Sequence, residues 1–469
     1  MLAFFENLVN AANDALYSYV LVILLVVGGL YFTFRGKFMQ FRMLGEQVRV
    51  VGEKPKGKGN VSSFQALMVS TASRVGTGNI VGVSTALCLG GFGSVFWMWV
   101  IALIGGATAF IESTLAQIYK KKGENGSYGG PAYYIEAALH SRPLAIVFSI
   151  LLILTYGFGF NMLASYNLQS TFSTYGFYNA SLTPWIIGAV LALTVGYCLF
   201  GGGKRVIKVT SYMVPVMGVL YILVALLVVV LNVKILPSVF GTIFSEAFDL
   251  KAIFGGFGGS CVMYGIKRGL FSNEAGVGSA PNASAAADVA HPVKQGLVQI
   301  LSVFLDTLLV CSATAFMCMC SGIEPSKAIS GAPYVQLSLQ SMFGDFGPIF
   351  ITVSMILFAF TTLLGNLYYV DQALSHIVGK IPGKSFMRVY YVIASAIIFI
   401  GAGLSADLLW GIADITMGLM AVINVPVIFY LSKYVFRALK GYIQQKKEGK
   451  DPEFHAKDVG ITTELDYWQ

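Results

Sequence analysis

The chain has 469 residues, 56% of them hydrophobic and only 12% charged. Soluble globular domains carry about 25% charged residues, so this composition excludes an ordinary water-soluble enzyme or binding module. The formal net charge of +8 invites a nucleic-acid reading, which the placement of the basic residues argues against.

Apolar residues come in blocks of about 20, the length at which a helix crosses ~30 Å of hydrocarbon. An alternating barrel pattern is absent, so an all-α integral membrane protein is expected. Glu6 and Asp14 precede the first block and the first cation is Arg35, unlike the basic start of a signal peptide. In chain order, spans are predicted at 17–34, 62–90, 94–119, 143–171, 183–200, 210–232, 250–271, 295–320, 346–378, 386–404 and 407–432, about 11 transmembrane helices.

Lys and Arg test that order. On one side fall Arg35 to Lys58, Lys120 to Arg142, Lys204 to Lys208, Lys294, Lys380 to Arg388 and everything from Lys433 onward; the other side has Lys234, Lys251 and Lys327. The positive-inside rule then predicts the N-terminus outside and the C-terminus cytoplasmic. The net charge is thus topological, and no nucleic-acid partner is expected. Arg74, Lys267 and Arg268 fall inside predicted spans.

Between spans, "FMQFRMLGEQVRVV" reads as an interfacial amphipathic helix. The tail "QQKKEGKDPEFHAKDVG" reads as solvated. Six cysteines, Cys88, Cys198, Cys261, Cys311, Cys318 and Cys320, lie in or beside apolar spans and are expected to pack rather than pair.

Two spans are interrupted by glycine: "RVGTGN" (Arg74–Asn79) and "GGFGGS" (Gly255–Ser260). Glycine weakens a helix and lets backbone approach a ligand. Irregular backbone at membrane depth is tolerated only where protein or a polar cavity covers it. A broken span exposes N–H groups for a carboxylate and carbonyls for a cation, and paired breaks point to a transporter site. The alternative is close helix packing of the small-xxx-small kind, accepted here for Gly90, Gly91, Gly105 and Gly106. At Gly76 and Gly78 binding is preferred, because Arg74, Thr77 and Asn79 add polar groups without a packing role; "GGFGG" alone leaves the two readings open.

Other intramembrane polar residues divide likewise. Thr361 and Thr362 either bond back to their own helix or help hold a hard cation. Glu112, Asp306 and Asp371 either relay protons or are paired structural groups. Arg74 needs a partner in low dielectric, and Glu274 is the candidate for a gate or brace. Neither a nucleophile–base constellation nor a Walker-type phosphate loop is found, so an enzyme and an ATP-driven pump are both disfavoured.

"RVGTGNIVGV", "GGFGSVFWMWV" (90–100), "GGPAYYI" (129–135), "KRGLFSNEAGVGSAP" (267–281) and "HPVKQGL" (291–297) resemble the alanine or glycine:cation symporters, also called the sodium:alanine symporters. The resemblance implies a LeuT-type fold of five plus five inverted helices with one extra N-terminal helix. The chain would then divide into 1–61 (extra helix and linker), a core 62–436 with repeats 62–232 and 250–432, and a cytoplasmic tail 437–469. It further implies sodium-coupled uptake of a small neutral amino acid across the plasma (cell inner) membrane, with Na+ as coupling ion and no organic cofactor. Ala72 and Val75 would give carbonyls to sodium and Thr361 and Thr362 hydroxyls. Gly76, Thr77, Gly78 and Asn79 would meet the substrate, with Gly256, Phe257, Gly258 and Gly259 opposite. The chain departs from the family at "NMLASY", where Asn161 is kept but Ala164 replaces a usual glutamine, at Asn366, where tryptophan is usual, and at Ser94. Those departures leave alanine, glycine, serine and glutamine open; proton coupling is the alternative to sodium, and a channel is the less favoured class.

Overall fold

A computed structural model describes residues 12, 13, 15–55, 57, 60–123, 126–249 and 260–468. Apart from one hairpin, Lys121–Gly123 with Gly126–Tyr128, the regular elements among them are helical. Seven helices are long and apolar enough to cross a membrane, and Tyr19–Arg35, Gly78–Gly90 and Thr183–Leu199 are shorter apolar ones. Helices that the argument uses are α1 (Leu44–Val51), α2 (Ser63–Arg74), α3 (Val83–Gly90), α4 (Ser94–Ile118), α5 (Phe160–Ser170), α6 (Cys261–Asn273), α7 (Pro292–Val303), α8 (Phe346–Val378) and α9 (Ala406–Lys447).

The predicted spans 94–119 and 346–378 match α4 and α8. The span predicted at 407–432 runs on to Lys447 instead, because Val435, Ala438, Leu439 and Tyr442 keep one face buried at helical spacing. Before the core, Phe41, Leu44 and Val48 are exposed while Gln40, Gln47 and Val50 are buried. The exposure is mixed, since Arg42 and Arg49 are also exposed and Met39 is buried. The buried amides are used: Gln47 donates to the Gln40 carbonyl and Gln40 to the Thr33 hydroxyl, both at 2.9 Å.

Around α4 the helices approach through small residues. A Cβ on Gly265 would lie 2.6 Å from the Ser94 carbonyl, one on Gly105 3.0 Å from Ala275, and one on Gly106 3.1 Å from Phe304. This is the close packing expected for Gly105 and Gly106. Gly91 differs from that expectation: its φ is +82°, so it ends α3 in a conformation that L side chains rarely adopt.

α2 starts with a capping box between Ser62 and Gln65 and stops at Val75. A wide π turn, Gly78–Gly82, then leads into α3. The predicted second break at 255–260 lies outside the described residues, save Ser260. The structure has a break further on: α6 ends at Glu274 with φ +53°, and Gly276 and Gly278 take φ of +87° and +89°. Residues 274–280, just past the predicted span 250–271, are entirely buried against α4, where Glu112 accepts from the Gly276 N–H at 3.3 Å.

The tail also differs from expectation. Phe454, Ala456, Val459, Ile461, Leu465 and Trp468 are buried. Their apolar positions are isolated among charges, so composition hides them, yet each finds a groove.

Candidate binding site at two broken helices

The two breaks meet across buried polar groups. The Ser73 hydroxyl lies 3.1 Å from Glu274 Oε1 and 2.7 Å from Asn366 Oδ1. Ser279 donates to the other Glu274 oxygen at 2.5 Å, and Asn366 Nδ2 donates to Asn161 Oδ1 at 2.9 Å. One polar layer therefore ties the end of α2, the second break, α8 and α5 together.

Asn79 makes a second junction. Its Oδ1 accepts the Gly76 N–H at 2.7 Å and its Nδ2 donates to Asp306 Oδ1 at 2.7 Å. Ser272 and Thr307 donate to the other Asp306 oxygen at 2.7 and 2.8 Å. Asp306 sits in another π turn, Phe304–Cys311, a feature common where helices carry function. In an unbroken helix the Gly76 N–H would bond the Ala72 carbonyl; here the side chain of Asn79 takes it, and the Ala72 carbonyl is released from the ladder.

Next to that carbonyl stands α8. Gly365 lets it press on the Ala72–Ser73 peptide: a Cβ there would lie 2.7 Å from the Ser73 nitrogen and 3.2 Å from the Ala72 carbonyl carbon. Thr362 Oγ1 is buried without a hydrogen-bond partner and lies directly against Gly76. Thr361 Oγ1 is turned back on its own helix, 3.0 Å from the Leu357 carbonyl and 3.2 Å from that of Phe358. Adjacent helical positions point about 100° apart, so the two hydroxyls meet the break differently, Thr362 directly and Thr361 while bonded to its own helix. The released carbonyl and the unpartnered hydroxyl are hard oxygen donors of the kind that a small cation takes.

Among the described residues Arg74 makes no hydrogen bond or contact ion pair with Glu274, which the reading from sequence had expected. Its Nη1 donates to Gln299 Oε1 at 2.8 Å, while Nε and Nη2 are buried without a partner. The guanidinium leaves the last turn of α2 toward α7, whereas Glu274, in its left-handed turn, sends its carboxylate back to Ser73 and Ser279.

Ser73, Arg74, Gly76, Thr77, Gly78, Phe160, Leu163, Phe271 and Thr362 enclose a cavity of about 10 Å³, room for about one water and too small for an amino acid. Asn79, Asn161, Asn366 and Glu274 stand one residue behind this lining, and Ala164 is buried without reaching it. Gly256, Phe257, Gly258 and Gly259 lie outside the described residues. Larger hollows of about 530 and 460 Å³ lie around Lys294 and around Glu136, away from the breaks.

Over the cavity lies a cover that the sequence reading missed. The Phe271 ring sits 4.6 Å from Phe160 and 4.8 Å from Trp410. Behind it Arg268 stacks 4.1 Å over Trp410 and reaches Asp414 at 3.0 Å. Lys267 binds the same carboxylate at 3.0 Å. The signal was present: two cations inside a span require an acid inside another, and Asp414 falls in the last one.

Comparison with known proteins agrees. The sodium:alanine symporter family matches residues 2–456. A protein of Bacillus subtilis named probable sodium/glutamine symporter GlnT is 45% identical, covering 97% of this chain and 94% of its own. The amino-acid carrier protein AlsT of the same organism is 41% identical over 100% and 99%. The sodium/alanine symporter AgcS of Methanococcus maripaludis is 35% identical over 95% and 99%. A solved structure, MhsT in complex with L-phenylalanine, aligns at a TM-score of 0.46 with 17% identity, over 80% of this chain and 99% of that one, too distant to carry an argument. The family is one of transporters, which fits a helical multi-pass membrane protein with two buried helix breaks. The chain belongs to the sodium:alanine symporter family.

Proposed function

We propose that the protein is a sodium-coupled symporter that imports a small neutral amino acid, alanine or glycine, by alternating access across the plasma (cell inner) membrane. One observation carries the reading: two helix breaks face each other, and beside them the Ala72 carbonyl and Thr362 hydroxyl lack their ordinary helix partners. Sodium takes oxygens of Ala72, Val75, Thr361 and Thr362, the Thr361 hydroxyl keeping lone pairs free while it donates to its own helix. The substrate meets Gly76, Thr77 and Gly78, with Gly256 to Gly259 lining the site from the other unit. Asn79, Asn161 and Asn366 shape it from behind. Glu274, bonded to Ser73, braces one break against the other, and Arg74 holds α2 to α7.

The core 62–436 works as two inverted five-helix units, 62–232 and 250–432, each opening with a broken helix. Residues 1–61 add an N-terminal helix and linker, and 437–469 lie on the cytoplasmic side with the N-terminus outside. The 25-to-three division of basic residues supports that orientation. Sodium entry supplies the drive, about 2.3 kcal/mol per 100 mV for each charge moved inward. The cavity, closed over by Phe271, corresponds to a state between the two open ones.

A second reading, glutamine as substrate, is favoured by the Asn161–Asn366 amide pair behind Ser73 and by the relative whose name gives glutamine. Uptake of labelled alanine, glycine, serine and glutamine into proteoliposomes, with and without an inward sodium gradient, separates the two. Gradient-driven uptake of none of them would overturn the proposal. Thr362→Ala is expected to raise the sodium concentration for half-maximal uptake by at least about 10-fold, the loss of one ~1.4 kcal/mol ligand. Thr361→Ala should change it less, because that hydroxyl is already bonded within its helix.

A further inference from the structure

Residues 451–468 fold back across the helix ends on the side rich in Lys and Arg. The Trp468 indole donates to the Gln117 carbonyl at 2.7 Å. Asp466 binds the Lys121 ammonium at 3.1 Å and the Lys122 N–H at 2.9 Å. At the other end of the segment Asp451 reaches Lys294 at 3.2 Å, and Phe454 bridges the rings of His291 and Trp468 at 5.2 and 5.7 Å. The Ala456 N–H donates to the Trp468 carbonyl at 3.0 Å, which closes the segment on itself.

What it covers is the run 281–291 that follows the second break. The Gln117 side-chain amide holds the Ser284 and Ala287 carbonyls at 2.5 and 2.9 Å. The Lys120 ammonium donates to the Ala287 carbonyl at 3.1 Å and is roofed by the rings of Tyr467 and Trp468, 4.6 and 5.2 Å away. The same run is tied to the start of α2, since the Asp288 N–H donates to the Val61 carbonyl at 2.9 Å. The near ends of both broken helices are thus fastened to each other, to α4, and under one aromatic cap.

We infer that 451–468 is a latch that holds the 281–291 run against α4 and so keeps the Lys- and Arg-rich side of the transport path shut. An aromatic roof that shields a buried ammonium from water strengthens the contact and so biases an equilibrium between two conformations. The inference rests on the alternating-access reading, but the test does not require a known substrate.

Hydrogen exchange by mass spectrometry is measured on the full chain in lipid nanodiscs, comparing the native protein with Trp468→Ala and Asp466→Asn. Exchange in 281–291 and in 61–70 is expected to speed up by about tenfold, while 83–90 and 261–273 keep their native rates. Trp468→Phe, which keeps the ring over Lys120 but loses the N–H donor, should fall between. Unchanged exchange in 281–291 would overturn the latch, and so would equal acceleration in every segment, which marks a general loss of fold. If the latch result holds while no amino acid is transported, the substrate reading fails and the latch stands.

Discussion

Gly76→Ala is expected to lower gradient-driven uptake by about 100-fold with the protein still inserted and folded. A Cβ at residue 76 is driven into Thr362 Oγ1, with Thr362 Cβ at 3.1 Å and Cγ2 at 3.3 Å behind it. Neither side can give way easily. Threonine is stiff at χ1, and Gly365 seats α8 on the Ala72–Ser73 backbone. Overpacking of this kind costs about 1–3 kcal/mol, and the upper end corresponds to roughly 100-fold. The check is the initial uptake rate per inserted molecule, alongside the thermal midpoint in detergent. Adding Thr362→Ala should restore the midpoint without restoring sodium dependence, because it removes both the clash and the oxygen donor. Native uptake by Gly76→Ala would show that the contact between α8 and the first break is not part of the transport cycle.

Asp414→Asn is expected to lower both the stability and the transport rate more than any other single change in the cover over the cavity. The carboxylate is 1% exposed and serves two cations, Arg268 and Lys267, each at 3.0 Å. Breaking a buried pair by removing one partner costs about 3–5 kcal/mol, since the remaining charge is stranded. Here two charges are stranded. Arg268→Gln should be milder because Lys267 still neutralises Asp414, although the stack on Trp410 is lost. Lys267→Gln should be mildest, its side chain being the more exposed at 10%. Thermal unfolding followed by fluorescence, with uptake on the same preparations, tests the order; an Asp414→Asn protein no weaker than Lys267→Gln would contradict it.

Much of the site was legible because it is built from costly residues. Arg74, Thr77 and Asn79 in an apolar span had to be functional or paired, and all three stand at the first break. The second break was harder. "GGFGGS" has four glycines and lies outside the described residues save Ser260, whereas "NEAGVGS" has two and falls just past the predicted span 250–271. Its position depends on α6 packing along α4 through Gly265 and Gly269, a contact between residues more than 150 apart in the chain. Thr361 and Thr362 are equivalent in composition, and only the rotation of α8 over Ala72 distinguishes them. Arg74 takes Gln299 as its hydrogen-bond partner, a neutral amide that its charge alone would not have singled out.

What the sequence determined by itself follows from properties that sum along the chain. Apolar runs partition into lipid, and clustered glycine with polar neighbours interrupts the helix at Val75–Asn79. These gave the membrane class and the first break, whereas the family was legible in motifs such as "RVGTGNIVGV" and "KRGLFSNEAGVGSAP". What the tertiary structure alone decided was partnership: Ser73 with Glu274, Asn79 with Asp306, Arg268 and Lys267 with Asp414, and the buried tail against Gln117 and Lys120. The energy of a buried polar group depends on which atom stands within about 3 Å of it, and that distance is a product of helix packing rather than of local sequence.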